Sequence, residues 1–270
     1  MQPTCQSRRP FGIASPRVAG QSRARTRQLT AAIATVALTL GAATSALAQD
    51  KQRTLSVSGA LTGSATLTTD YRFRGVSQTF GDPALQGGVD FTLPSNFYVG
   101  AWGSMVDKEI YANTRGFELD LYGGYKWSLG NGMLLDVGLL QYLYPTESLY
   151  STLEGYAGIS WEWLSFKYSH GLSNRYFGVS GARGSQYYDL TATLPVGNGF
   201  NLIGHYGIQR IHNNGGDYTD VRLGVTKDWK GFTWGASVYD TDSTFSFTNR
   251  AGRTRDLGDR ALVLSVSKAF

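Results

Sequence analysis

The chain of 270 residues holds one cysteine, Cys5, and three histidines, and beyond residue 48 no segment sustains a helical apolar period. Each shortage closes a class of protein. One cysteine builds no disulfide framework, and because it lies in the leader described below it leaves no thiol chemistry either. His170, His205 and His212 fall at no metal-ligand spacing, and no Gly-x-Ser-x-Gly nucleophile elbow is present. Neither a metal nor another cofactor is therefore expected. The acids around Asp217, Asp220, Asp240 and Asp242 lack calcium-loop spacing and read as solvated turn residues. Excess charge of one sign is also missing once the N-terminus is set aside. The segment RARTRQLTAAIATVALTLGAATSALAQD (23–50) has a basic start, an Ala-rich apolar stretch from about Ala31 and the small-residue pattern Ala46-Leu47-Ala48. That is the layout of a secretory signal peptide cut after Ala48, and its apolar run is short and weak for a membrane helix. The pair Arg8-Arg9 resembles a twin-arginine signal but stands far from the apolar run, so residues 1–22 read as an extended n-region. Six arginines leave with the leader and no acid does, so 25 basic residues fall to 19 against 20 acidic ones and the formal +5 becomes −1. The basic balance belongs to the leader, and no nucleic-acid partner is expected.

What remains is rich in aromatic residues and glycine, and its period is two. In 64–74, SATLTTDYRFR, one face carries Ala65, Leu67, Thr69, Tyr71 and Phe73, the other Ser64, Thr66, Thr68, Asp70, Arg72 and Arg74. In 117–127 Phe117, Leu119, Leu121, Tyr125 and Trp127 oppose Glu118, Asp120, Tyr122 and Lys126. In 152–163 Leu153, Ala157, Ile159, Trp161 and Trp163 oppose Glu154, Tyr156, Ser160 and Glu162. Alternation of this kind marks strands with two unlike faces. With 84–93, 97–106, 133–144, 165–172, 186–194, 200–211, 219–229, 232–240 and 259–270 it predicts twelve strands.

Their connections alternate strictly between short turns (94–96, 128–132, 163–164, 195–199, 230–231) and long polar loops (75–83, 107–116, 145–151, 173–185, 212–218, 241–258). Outer-membrane barrels keep that rhythm, with turns toward the periplasm and loops outside. Aromatic residues such as Phe91, Phe97, Trp127, Trp161, Phe200, Trp229, Phe232 and Trp234 gather beside the short turns, where a girdle at the membrane interface belongs. The fold expected is an all-β, twelve-stranded antiparallel transmembrane barrel of the bacterial outer membrane over residues 62–270. It follows a signal peptide at 1–48 and a periplasmic extension at 49–61. The last strand, ALVLSVSKAF, ends on Phe270, like the C-terminal signature by which such barrels are recognised for insertion. The expected partners are thus outer-membrane lipid, the barrel-insertion machinery and small polar solutes or ions.

The runs ATLTTDYRFRGVSQTFGDPALQGGVDF (65–91), FYVGAWGSMV (97–106) and ELDLYGGY (118–125), with the closing strand, resemble the TorF-type porins. That proteobacterial family was long classed as conserved proteins of unknown function. The resemblance implies an outer-membrane barrel and carries over no substrate and no catalytic residues.

If the polar faces point inward, the lumen holds both signs. Pore-lining candidates are Asp70, Arg72, Arg74, Glu118, Asp120, Lys126, Glu154, Asp189, Asp220 and Arg222. Asp90, Asp136, Glu162, Asp228 and Lys167 lie on the same faces. Most are expected to pair across strands, since a charge away from bulk water needs a partner. Arg72 and Arg74, placed at the extracellular end of the first strand, are expected first to pair with nearby acids at the rim, and they are the best candidates for selectivity residues, as a basic constriction or an anion-binding step. The functional expectation is passive diffusion of small polar solutes or ions. The alternatives are a plugged barrel acting through its loops and, less favoured, a membrane enzyme using one of the three histidines.

Overall fold

The computed structural model describes residues 59–213 and 216–270. The cleavage site at Ala46 and Ala48, the signal peptide and most of the 49–61 extension lie outside these residues.

Twelve strands build one sheet: β1 (Ala60–Thr68), β2 (Ala84–Thr92), β3 (Phe97–Met105), β4 (Phe117–Gly130), β5 (Met133–Leu143) and β6 (Thr152–Trp161), then β7 (Leu164–Gly171), β8 (Gln186–Gly197), β9 (Phe200–Arg210), β10 (Tyr218–Trp229), β11 (Phe232–Thr241) and β12 (Ala261–Ala269). Each pairs antiparallel with its sequence neighbour, and β12 pairs with β1. The sheet closes where β7 lies beside β8: Thr193 N–H donates to Trp163 O at 2.9 Å and Gly171 N–H to Ser185 O at 2.7 Å. Closure leaves no edge whose backbone groups would go unsatisfied in lipid.

The short turns all lie at one end. Asn131-Gly132, Asn198-Gly199 and Lys230-Gly231 hold positive φ at both residues (51° and 78°, 52° and 75°, 52° and 76°). A two-residue hairpin loop needs that geometry to follow the right-handed twist of its strands. Glu162, expected in the lumen, instead occupies the β6–β7 turn at φ 52° and is exposed.

The barrel is inverted relative to a soluble one. Leu67, Val99, Leu121, Leu139, Leu202, Leu223 and Leu264 are exposed on its outer face, whereas Glu118, Asp120, Glu154, Lys167, Asp189 and Asp220 are buried on the inner one. Water would not tolerate so continuous an apolar belt, and lipid requires it. The aromatic side chains beside the short turns are exposed on the same outer face, at the rim that carries those turns. Phe270 closes the ring: its N–H donates to Gly63 O at 3.0 Å, and Gly63 N–H donates to Phe270 O at 2.8 Å. Its side chain stays 77% exposed, over the bare Cα of Gly63.

On the inner wall, tyrosines lie flat over glycines of the neighbouring strand. A Cβ on Gly138 would stand 2.5 Å from the Tyr156 hydroxyl, and one on Gly207 would collide with the Tyr187 hydroxyl. Bulk is thereby laid along the wall instead of across the passage.

The extent of the first strand is also corrected. The first strand ends at Thr68 rather than at residue 74, and the chain turns into the lumen. Asp70 causes the break: its carboxylate accepts from Ser77 Oγ (2.6 Å), Thr79 Oγ1 (3.0 Å) and Arg72 Nε (2.6 Å). Thr68 Oγ1 also donates to Asp70 O at 2.9 Å. These local bonds outcompete the ladder. A tight hairpin, Arg72–Phe73 against Val76–Ser77, follows, with Arg74 at φ 49° and Gly75 at φ 81° in its turn. Tyr71 and Phe73, expected to face lipid, instead pack inside on Trp102 and Tyr142, with ring centroids 5.4 and 5.5 Å apart.

Candidate functional site

The hairpin at 72–77 carries its turn across the lumen. Arg74 donates from Nη2 to both oxygens of Glu154 at 2.8 Å, on β6, and from Nη1 to Gln209 Oε1 at 2.9 Å, on β9. Nη1 also donates to the Tyr176 hydroxyl. Glu154 is 1% exposed as a side chain, so the ion pair is sealed from bulk water. Gly75 lies beside Asp220 and Thr241, so the tip reaches the wall of β10 and β11 as well.

A second hairpin meets the first. Arg175–Tyr176 pairs with Val179–Ser180 around a turn at Phe177 (φ 46°) and Gly178 (φ 88°). Its Phe177 ring packs 5.3 Å from Phe73, and Tyr176 donates to Glu154 Oε1 at 2.9 Å. The two hairpins follow β1 and β7, six strands apart, and enter the lumen from opposite sides.

Arg72 is fully buried and anchors the base of the first hairpin. It pairs with Asp70 at 2.6 Å and Asp259 at 3.3 Å, and it donates to the carbonyls of Gly75, Leu257 and Asp259. Outer loops hold the segment down: Ser77 N–H donates to Leu257 O and Asp107 N–H to Gln78 O, each at 2.8 Å. Both arginines therefore serve a structural pairing, not on a strand end but within an inward-folded loop. The rim placement is corrected because Asp70 turns the chain inward before either arginine is reached.

Beneath this roof lies a cavity of about 250 Å³, lined by, among others, Asp120, Tyr142, Lys167, His205, Asp220 and Arg222. His205 on β9 stands between two carboxylates, Nε2 2.9 Å from Asp220 and Nδ1 3.2 Å from Asp189. Tyr187 donates to Asp220 at 2.9 Å, and Thr191 donates to Asp189 at 2.5 Å. With both ring nitrogens engaged, His205 clamps β8, β9 and β10 together. Arg222 donates from Nε to Ser237 Oγ at 3.0 Å and lies over the Tyr239 ring at 5.3 Å.

The remaining candidates divide by depth. Glu118 sits in the wall at the level of the roof, accepting from the Tyr144 hydroxyl at 3.1 Å. Asp120 lines the cavity. Lys126 lies lower, toward the turns, over the Tyr98 ring at 4.6 Å and opposite Asp136 in the ladder. The Tyr98 hydroxyl bonds Asp136 at 2.7 Å and also meets the Tyr156 hydroxyl. Asp70, Arg72, Arg74, Asp120, Asp189, Asp220 and Arg222 thus gather around one cavity, with Glu154 held at its roof by Arg74. Sequence reasoning treats His205 as one of three scattered histidines, and it misses its polar clamp and the roles of Gln209 and Tyr176. The pairing register of β8, β9 and β10 is what brings these side chains together.

Comparison with curated proteins gives no match. Residues 53–270 match a family described as bacterial protein of unknown function (Gcw_chp). Among solved structures, the NanC porin is similar at 11% identity and TM-score 0.51, over 78% of this chain and 98% of that one. The KdgM porin is similar at 7% identity and TM-score 0.48, over 77% and 99%. An outer membrane channel from Pseudomonas putida F1 is similar at 14% identity and TM-score 0.42, over 78% and 96%. At such identities the likeness to NanC is one of fold, that of a closed outer-membrane barrel.

Proposed function

We propose that this chain, which belongs to the Gcw_chp family of bacterial proteins of unknown function, is an outer-membrane channel for passive diffusion of small polar solutes or ions. One observation carries the reading: a polar, charged inner wall encloses a cavity of about 250 Å³ inside a barrel whose outer face suits lipid. That space has room for several waters or one small solute. Twelve strands enclose less than the sixteen of a wide porin. Selection would rest on width and on lining charge, without an energy source. The resemblance to TorF-type porins supports the same reading. Its export would use the signal peptide read at 1–48, and its assembly the insertion machinery, with Phe270 as the recognised end.

Liposome swelling tests the proposal. Vesicles carrying the folded barrel are expected to swell in solutes of amino-acid or pentose size and not in trisaccharides. Vesicles that swell in none of these, with the barrel shown to be inserted, would overturn the channel.

The two hairpins that meet in the lumen favour a second reading, a plugged barrel that acts through its outer loops. It requires that no solute pass and that a surface interaction be lost when the loop 242–260 is trimmed.

A further inference from the structure

The cavity below the hairpins contains one carboxylate with a buried oxygen that accepts no hydrogen bond. Asp120 on β4 is 7% exposed, and its Oδ1 is buried without a hydrogen bond. Among the described residues no cation stands within ion-pair distance of it. The other cavity acids are all engaged: Asp70 with Arg72, and Asp189 and Asp220 with His205. Lys167, which shares the cavity, points its ammonium at the Tyr156 ring, 4.1 Å from the centroid.

The neighbours of Asp120 are equally specific. In the ladder Trp102 on β3 stands directly opposite it on one side and Tyr142 on β5 on the other. Directly opposite side chains on one face of a sheet lie about 5 Å apart. Both rings are buried and line the same cavity. A carboxylate between two aromatic walls combines the features that hold an organic cation: a charged acceptor for its N–H groups and π-faces for its charge and methylenes. An unfilled acceptor calls for a donor hydrogen, which a primary ammonium carries and a quaternary one does not. A buried carboxylate without a donor is costly, and a ligand ammonium removes that cost.

We propose that Asp120, Trp102 and Tyr142 form a binding site for the primary ammonium group of a small solute held in the lumen. The site deepens the channel reading, on which it rests only in treating the bound solute as cargo. Arg222, on β10 and thus six strands around the barrel from β4, lines the far side of the same cavity. A zwitterion long enough to span the cavity would place its carboxylate toward Arg222 while its ammonium meets Asp120.

Calorimetric titration of the folded barrel in detergent micelles tests the site without any transport. Ethylammonium and β-alanine serve as probes, with propionate as the anion control. Ethylammonium is expected to bind and propionate not to. Asp120→Asn is expected to weaken ethylammonium about tenfold or more, the factor that one charge-assisted contact carries. Trp102→Leu, which leaves the carboxylate in place, is expected to weaken it as well, so the outcome does not hang on one variant. Tighter binding of β-alanine than of ethylammonium would identify the cargo as zwitterionic; the reverse would identify it as a simple amine, and either result supports the site. No binding of either amine to the folded wild-type barrel, or equal binding by both variants and wild type, would overturn it. Ion current through the same preparation is a separate readout: a conducting barrel that binds no amine sinks only this site.

Discussion

Replacing Arg74 by alanine is expected to raise the ionic conductance of the barrel several-fold and to make its open level noisier. Arg74 supplies the hydrogen bonds and the ion pair that tie the 72–77 hairpin to β6, to β9 and to the second hairpin, through Glu154, Gln209 and Tyr176, beside the packing of Phe73 on Phe177. Removing it leaves the Glu154 carboxylate buried without its counter-charge, a loss of about 3–5 kcal/mol for a sealed pair. That energy resides in the docking of the hairpin, because the barrel ladder does not involve Arg74. The tip is therefore expected to swing away from Asp220 and Thr241 while the base stays fixed by Arg72 and Asp70. Glu154→Gln, which keeps the shape and one acceptor but loses the charge and the second acceptor, is expected to open the lumen less than Arg74→Ala. The double variant with Glu154→Ala is expected to recover stability relative to Arg74→Ala alone, since no charge is left stranded. Single-channel current together with urea unfolding reads both consequences. Equal conductance for wild type and Arg74→Ala would show that the hairpin is not held by this pair.

Leu223→Arg is expected to destabilise the barrel by about 2–4 kcal/mol, the cost of a basic side chain near the middle of the lipid-facing band. Leu223 lies mid-strand on β10 and is exposed on the outer face. In a soluble protein, an exposed leucine exchanged for arginine changes stability by little. The size of the effect thus reports whether the outer face meets lipid or water. Ser265→Asn on the inner wall of β12 serves as the contrast, a cavity-lining position where an added amide is expected to cost little. Unfolding titrations in lipid vesicles measure both. A near-neutral Leu223→Arg would contradict the inverted barrel.

Strand positions were readable because a two-faced strand in lipid has no freedom: every second side chain must be apolar, and a one-residue slip would reverse every one of them. The turn residues were readable for the same kind of reason, since Asn131-Gly132 and Lys230-Gly231 supply the positive φ that tight hairpins need. The first strand was overextended because period two continues through Tyr71, Phe73 and Arg74 after the chain has left the sheet. A lumen hairpin is itself two short strands with alternating faces, so periodicity alone does not reveal the departure. A signal was nevertheless present. RFRGVS at 72–77 and RYFGVS at 175–180 are near copies, each holding glycine at the fourth place, where the turn needs positive φ. Repetition in corresponding loops, six strands apart, marks a pair of structural inserts rather than strand ends. The pairings Arg74–Glu154 and Asp189–His205–Asp220 join residues far apart in sequence or on neighbouring strands, and they depend on register and on where the loop folds. No local pattern encodes them.

Whether the lumen is a path for ions decides the central claim, and current across a planar lipid bilayer holding the refolded mature protein measures it most directly. Discrete conductance steps, small compared with those of sixteen-stranded porins, are the predicted result. A salt gradient would then give a reversal potential whose sign shows which lining charges dominate. A flat current from a barrel shown to be folded and inserted would contradict the channel and leave the loop-sealed barrel in its place.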